Sequence, residues 1–391
     1  MNRHMHRAGS QYGFSLLEMT IAITLGLVLV LGMLSLFRVG VNTAITVTQR
    51  ADTQQNMRAG IEMMAKDIGL AGAGLPTGGL QLATGGSLSK VACNQSGTCY
   101  LPTNTYPTGN YMYGLIPGYK NGVQSAAVIS SAPAATNDSI TAIYCDYNFP
   151  LSNFTFSFPN GTTADVGVVN AAVTPNNILA PGGLNVGDLI FFLVTSPGNG
   201  TGNQGTSSSQ TGAVVAEITG LPSNTTIDFA SGDALNINQA GPNSLAATVA
   251  AFGANLGVTG TTTGNQVTAC RLEAVTYFLQ VPPAGGTVQT PRLMRQVNGL
   301  NAVPLADNII NLQFSYDLIS STSGLVNANI ADPLGAGDNP AMIQKVNMVV
   351  MGQSILSYGT KNQSMFLATS VSARNMSFCN AYSSTSSSCS N

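Results

Sequence analysis

The sequence predicts an α+β fold: a long amino-terminal α-helix packed on an antiparallel β-sheet domain that carries large loop insertions. Three observations lead there. Residues 14–37 form a 24-residue apolar run, helical spacing of apolar side chains continues to about residue 70, and most of the remainder alternates apolar and polar residues between Gly, Pro and Asn turns.

The apolar run, FSLLEMTIAITLGLVLVLGMLSLF, contains one charge, Glu18. As a helix it would be about 36 Å long, enough to cross a bilayer. Residues 1–13 precede it with Arg3 and Arg7 and no acid, so the positive-inside preference places the amino terminus in the cytoplasm and the rest outside. An ordinary secretory signal is cut after its apolar stretch, whereas here the convincing junction, Gly13-Phe14, lies before it. Cleavage there leaves the membrane helix on the mature protein.

A carboxyl group inside an apolar span costs about 2.5–3.5 kcal/mol at the bilayer centre and less near an end. Glu18 therefore calls for a partner, and the amine that cleavage would create on Phe14 of a neighbouring subunit is of the right type. A carboxyl that snorkels to the interface is the plainer alternative. No proline interrupts 14–37, and Gly26, Gly32 and Gly40 are the positions expected to loosen the helix instead.

From residue 38 to about 70 the chain turns polar without proline, and Met57, Ile61, Met64 and Ile68 recur at helical spacing. One amphipathic continuation is predicted, its apolar stripe lying across a sheet. The repeat is too brief for a coiled-coil seam. Glu62 and Lys66 are spaced for an ion pair, and Gly69, Gly72, Gly74 and Pro76 end the helix.

After a connecting stretch, 71–124, a β-rich domain is expected over 125–391. Ile140, Ala142 and Tyr144 share one strand face, and further strands are expected at 186–195, 211–219, 271–281, 308–318, 343–351 and 366–374. The clearest has Ile310, Leu312, Phe314, Tyr316 and Leu318 at period two, placing one apolar face on a core. Residues 198–212, 255–266 and 383–391 are low in complexity and read as surface loops.

Composition narrows the function. Charged residues make up only 8% of the chain and the net charge is −2, with Lys and Arg scattered, so no basic stripe supports nucleic-acid binding. Both histidines, His4 and His6, fall in the segment that cleavage removes, which leaves no His-based triad or His-ligated zinc in the mature chain. No cofactor is expected. Six cysteines in an exported chain favour a disulfide framework; proximity pairs Cys93 with Cys99 and Cys379 with Cys389, leaving Cys145 for Cys270, among the roughly fifteen pairings that six allow.

Two motifs carry little. Gly200, Gly202 and Gly205 satisfy G-x-G-x-x-G, but a serine-rich stretch follows where a dinucleotide site needs a helix. Asp332 and Asp338 in DPLGAGD could hold Ca²⁺ with loop carbonyls, although a plain turn explains them as well. Arg292 and Arg295 are read either as charges guarding an exposed strand edge or as partners of an acid.

Gly13-Phe14-Ser15-Leu16-Leu17-Glu18 resembles the prepilin peptidase motif of type IV pilins and type II secretion pseudopilins. The stretch from Gln55 to Gly72 is similar to the helix of PilW-type minor pilins, as is the later order Tyr277-Phe278-Leu279, Leu293-Met294-Arg295, Asn308 to Asp317 and Arg374-Asn375. Residues 94–124 and 196–268 have no counterpart in that resemblance. It implies a pilin-like fold, cleavage after Gly13 by prepilin peptidase, N-methylation of Phe14, and a docking role for Glu18. The implied partners are that peptidase, other major and minor pilins, the inner membrane and a surface ligand. The implied course runs from single-pass inner-membrane prepilin to periplasmic or extracellular pilus, with pilus assembly and adhesion as function and no enzyme activity. A type II secretion pseudopilin, and a membrane-tethered receptor or enzyme using a prepilin leader, are the competing readings.

Overall fold

The computed structural model describes residues 13–76, 79–86, 111–119, 137–196, 210–252, 266–280, 291–319, 324–331, 340–353 and 364–376. The chain opens with α1 (Leu16–Leu70), followed by β1 (Leu80–Gln81), β2 (Tyr111–Met112), β3 (Leu115–Gly118) and β4 (Ser139–Asp146). Next come β5 (Phe154–Asn160), β6 (Thr163–Val168), β7 (Leu189–Ser196), β8 (Gln210–Glu217), β9 (Gly220–Ser223), β10 (Thr226–Asp228) and α2 (Leu245–Phe252). The last third is β11 (Gln266–Gln280), β12 (Arg292–Val297), β13 (Val303–Asp307), β14 (Ile309–Ile319), β15 (Val326–Ile330), β16 (Ile343–Gln353) and β17 (Ser364–Ser372).

The chain divides into two compact units, one of Met1–Asp52 with Ser354–Gln363 and one of Thr53–Gln353 with Ser364–Asn391. The described part of the first is helix: no residue from Gly13 to Asp52 is buried. α1 runs unbroken through Gly26, Gly32 and Gly40, so the expected loosening at these glycines is absent. All three have open space around them, and a helix without proline keeps its full ladder of backbone bonds.

The second unit begins at Thr53, and from there α1 buries Thr53, Met57, Gly60, Ile61, Met64, Asp67 and Ile68. That spacing puts one helical face into a core with β4, β11, β12, β14 and β16. Glu62 and Lys66 make no ion pair among the described residues.

All described ladders are antiparallel. The central sheet runs β13-β12-β11-β4-β3, with β7 on the other half of β11 and β8 beyond it. β11 is long enough, at 15 residues, to serve two neighbourhoods: residues 266–272 pair with β7 and 275–280 with β12. Its first half lines a core of Phe156, Phe158, Phe192 and Phe229, whereas Val275, Tyr277 and Leu279 join α1. The sheet β15-β14-β16-β17 completes the α1 core, and β5-β6-β10-β9 belongs to the phenylalanine-rich core.

β4 is buried along its whole length because Ile140, Ala142 and Tyr144 face the α1 core while Ile143 and Cys145 face a third cluster with Leu272 and Leu235. In β14, Leu312, Phe314, Tyr316 and Leu318 are buried as expected, but Ile309 replaces Ile310 as the core residue. An irregularity in the β14–β16 register between Ile309 and Asn311 shifts the alternation there. β12 lies between β11 and β13, so Arg292 and Arg295 guard no edge.

Candidate functional site

The amino-terminal end of α1 begins with a reciprocal cap. The Glu18 backbone N–H donates to Ser15 Oγ at 3.2 Å, and the Ser15 backbone N–H donates to Glu18 Oε2 at 3.1 Å. This is a capping box, in which two of the donors left over at a helix start satisfy each other's residues. Glu18 therefore has a local task that its sequence spacing from Ser15 encodes. Oε1 has no partner among the described residues, so the carboxylate keeps an open acceptor.

Gly13, Phe14 and Ser15 precede the first helical residue and are exposed, Phe14 by 90%. The peptide bond between Gly13 and Phe14 thus lies in non-helical, uncovered backbone, the form in which a protease binds its substrate. Beyond the cap, Leu16, Leu17, Ile21, Leu25, Leu29, Leu34 and Phe37 all face outward, each more than half exposed apart from Ile21 at 50%. Two polar side chains between them are satisfied internally. Thr20 and Thr24 hydroxyls donate to the carbonyls of Leu17 and Ile21, each at 2.9 Å, so neither needs water. α1 is the one helix among the described residues long and apolar enough to cross a membrane.

Within the second unit, α1 is tied to the sheet by a polar cluster inside the apolar stripe. Asp67 accepts hydrogen bonds from the Tyr144 hydroxyl of β4 at 2.9 Å and the Tyr277 hydroxyl of β11 at 2.6 Å. Arg295 of β12 lies with Nε 3.2 Å from the same carboxylate, and Glu273 accepts a second contact from Tyr144 at 3.0 Å. Burial pushes both tyrosines well above the ordinary phenol range, and the Asp67 charge adds to it. For Arg295, burial works toward a lower pKa, but the Asp67 carboxylate more than offsets it and holds the guanidinium charged. These groups tie α1 to three strands through one carboxylate and its partners.

Sequence reasoning placed Met57, Ile61, Met64 and Ile68 on the buried stripe and passed over Asp67. The signal was present: Asp67 follows Met64 by three positions, which puts a charge on the apolar face. The partner in the alternative reading of the two arginines is also found, since Arg295 meets Asp67 and Arg292 meets Asp307 at 2.8 Å.

Cys145 and Cys270 form a disulfide between β4 and β11, directly beside the ion pair of Asp146 with Arg271. Cys93, Cys99, Cys379 and Cys389 lie outside the described residues, as do the calcium candidates Asp332 and Asp338, the glycines at 200, 202 and 205, and most of the leader. Residues 94–124 and 196–268, expected as loops or extra strands, include strands: 111–119 supplies β2 and β3, and 210–252 supplies β8 to β10 and α2.

No protein-family model, no curated protein and no solved structure matches this chain.

Proposed function

We propose that this chain is a PilW-like minor pilin of a type IV pilus. Prepilin peptidase cuts after Gly13, Phe14 becomes the N-methylated amino terminus, and residues 14–37 hold the protein in the inner membrane until it joins a filament. There the same helix packs among the helices of other major and minor pilins, and the β-rich domain works at or near the tip in assembly priming, adhesion or filament retrieval. The protein performs no bond chemistry of its own.

The observation that carries this reading is the contrast within one helix: nothing is buried from Gly13 to Asp52, although the segment is mostly Leu, Ile, Val and Met up to residue 37. Burying side chains of this kind gives roughly 1.5–3 kcal/mol each, so the 14 of them in residues 14–37 amount to tens of kcal/mol that only lipid or other helices can supply. The open oxygen of Glu18 and the exposed Gly13–Phe14 bond fit the roles that the resemblance gives them.

The test is deletion of the gene, followed by counting surface filaments and assaying exported enzymes in parallel. Loss of filaments with normal export supports the proposal. Normal filaments with failed export would assign the chain to a type II secretion filament instead.

A further inference from the structure

β14 changes partner partway along its edge. β15 pairs with it at Tyr316, Leu318 and Ile319, whereas Asn137 and Asp138 take over at Leu312 and Phe314. The Asp138 N–H donates to the Leu312 carbonyl at 2.9 Å, and the Asp138 carboxylate accepts the Phe314 N–H at 2.9 Å. Between these two partners a pocket of about 330 Å³ opens, floored by Gln313 and Ser315 of β14 with Asn347 and Val349 of β16 and walled by Tyr119 and Asp138. The floor residues alternate with Leu312, Phe314, Met348 and Val350, which face α1, so the pocket is on the opposite face of the sheet.

The floor is rich in uncommitted neutral hydrogen-bonding groups. Gln313 and Ser315 have no side-chain partner among the described residues. Asn347 spends its Nδ2 on Asp317 at 3.1 Å and Asn329 at 3.4 Å, which fixes its amide and leaves the oxygen as an acceptor. Among the described residues no Lys or Arg lines the pocket, and Lys345, nearby on the same face, is paired with Asp317 at 2.8 Å. The one carboxylate among the described lining residues, on Asp138, is engaged by the Phe314 backbone N–H. A phosphate, sulfate or carboxylate ligand finds no countercharge among those residues.

A matching ligand must both donate and accept at closely spaced points and be uncharged. Hydroxyl groups do this, since each carries one donor and two acceptor sites, as do the Ser315 hydroxyl and, by its two ends, the Gln313 amide. Val349 and the Tyr119 ring add the apolar contact that the C–H face of a sugar ring takes. The volume is at the lower end of small-molecule sites, room for about one or two sugar rings. We propose that the pocket bounded by Gln313, Ser315, Asn347, Val349, Tyr119 and Asp138 binds a neutral saccharide. The inference stands on the sheet alone and is independent of the filament reading.

The experiment uses the full chain in an amine-oxide detergent, which carries no sugar headgroup. It is applied to immobilised neutral oligosaccharides of glucose, galactose, mannose and their N-acetylated forms, beside sialylated and sulfated counterparts and a panel of extended peptides. The best neutral ligand is then titrated against wild type, Gln313→Ala, Ser315→Ala and, on the outward face of β17, Ser370→Ala. Gln313→Ala and Ser315→Ala should each weaken binding about three- to tenfold, as expected for one lost hydrogen bond, with Ser370→Ala at the wild-type value. Because Gln313 and Ser315 hold nothing else in place, thermal unfolding should be unchanged. Retention of no neutral glycan, preference for the charged glycans or the peptides, or wild-type affinity in both Gln313→Ala and Ser315→Ala would each overturn the proposal. The amino-terminal processing of the same sample is read separately, so failure here leaves the filament reading standing.

Discussion

The Asp67 carboxylate of α1 accepts the Tyr277 hydroxyl of β11 at 2.6 Å, across a sequence separation of 210 residues. Both groups are buried, Asp67 to 2% exposure, and Tyr144 and Arg295 complete the set. An apolar stripe alone would let the helix slide along the sheet. One charged residue with three directional partners fixes its register.

Asp67→Ala should therefore destabilise the β-rich unit by about 3 kcal/mol, because it leaves the buried Tyr277 hydroxyl without its acceptor and takes from Arg295 its nearer carboxylate. Asp67→Ala combined with Arg295→Met should cost less than Asp67→Ala alone. Chemical denaturation of the full chain in detergent measures both. A loss under roughly 1 kcal/mol for Asp67→Ala would mean that the cluster is incidental to the seating of the helix.

The seat is also a matter of close backbone approach. After α1, the Gly72 N–H donates to the Ile143 carbonyl of β4 at 2.8 Å with φ +80°, and Gly114 lies directly against the Gly72 nitrogen. A Cβ on Gly114 would collide with that backbone, which has no rotamer to move away. Gly114→Val should lower stability by at least about 2 kcal/mol or prevent folding, whereas Gly26→Ala, in open space, should leave the unfolding of the β-rich unit as it was. Equal midpoints for Gly114→Val and wild type would refute the packing described.

How much of this could be read beforehand depended on whether the signal was periodic. The α1 stripe and the strands β4, β7, β8, β11, β14, β16 and β17 each follow a repeat that a single sequence displays. β5 was passed over although Phe154, Phe156 and Phe158 alternate with Thr155 and Ser157, whereas β6, β9 and β10 are short and sit among Gly- and Asn-rich turns that hide them. Asp67 shows in the sequence as a charge on the apolar face, but its partners do not, and the saccharide pocket leaves no sequence signal. The Asp67 cluster draws on α1, β4, β11 and β12, and the pocket on β14, β16 and the residues flanking β3 and β4; only the antiparallel register of β14 with β16 brings Gln313 opposite Val349 and Ser315 opposite Asn347.

Glu217, at the end of β8, accepts the N–H groups of Ala234 at 3.1 Å and Leu235 at 2.8 Å, beside the Asp233 carboxylate. Burial raises its pKa, the two N–H groups oppose the rise, and Asp233 adds to it, so the carboxyl is pushed from an ordinary 4.5 to about 7. Between those values the folded chain holds a proton that the unfolded chain releases. Its contribution to stability is therefore full below 4.5, falls as pH climbs through the window, and is constant above about 7. Denaturation midpoints across this range should decline more steeply for wild type than for Glu217→Gln; identical slopes would remove Glu217 as the cause.

The capping box separates two roles of Glu18. Glu18→Gln keeps an acceptor for the Ser15 N–H but loses the charge, and Ser15→Ala does the reverse. If docking needs the carboxylate, Glu18→Gln should leave far less protein in sheared filaments while Ser15→Ala stays near wild type. The opposite ranking would make helix initiation, at about 1 kcal/mol per cap, the function of this residue.

The most direct measurement is the mass of the amino-terminal peptide of the protein isolated from its native membrane. Processing at the exposed bond predicts a chain beginning at Phe14 with one added methyl group, and with the whole apolar helix retained. A chain still carrying Met1, or one cut after residue 37, would contradict the account.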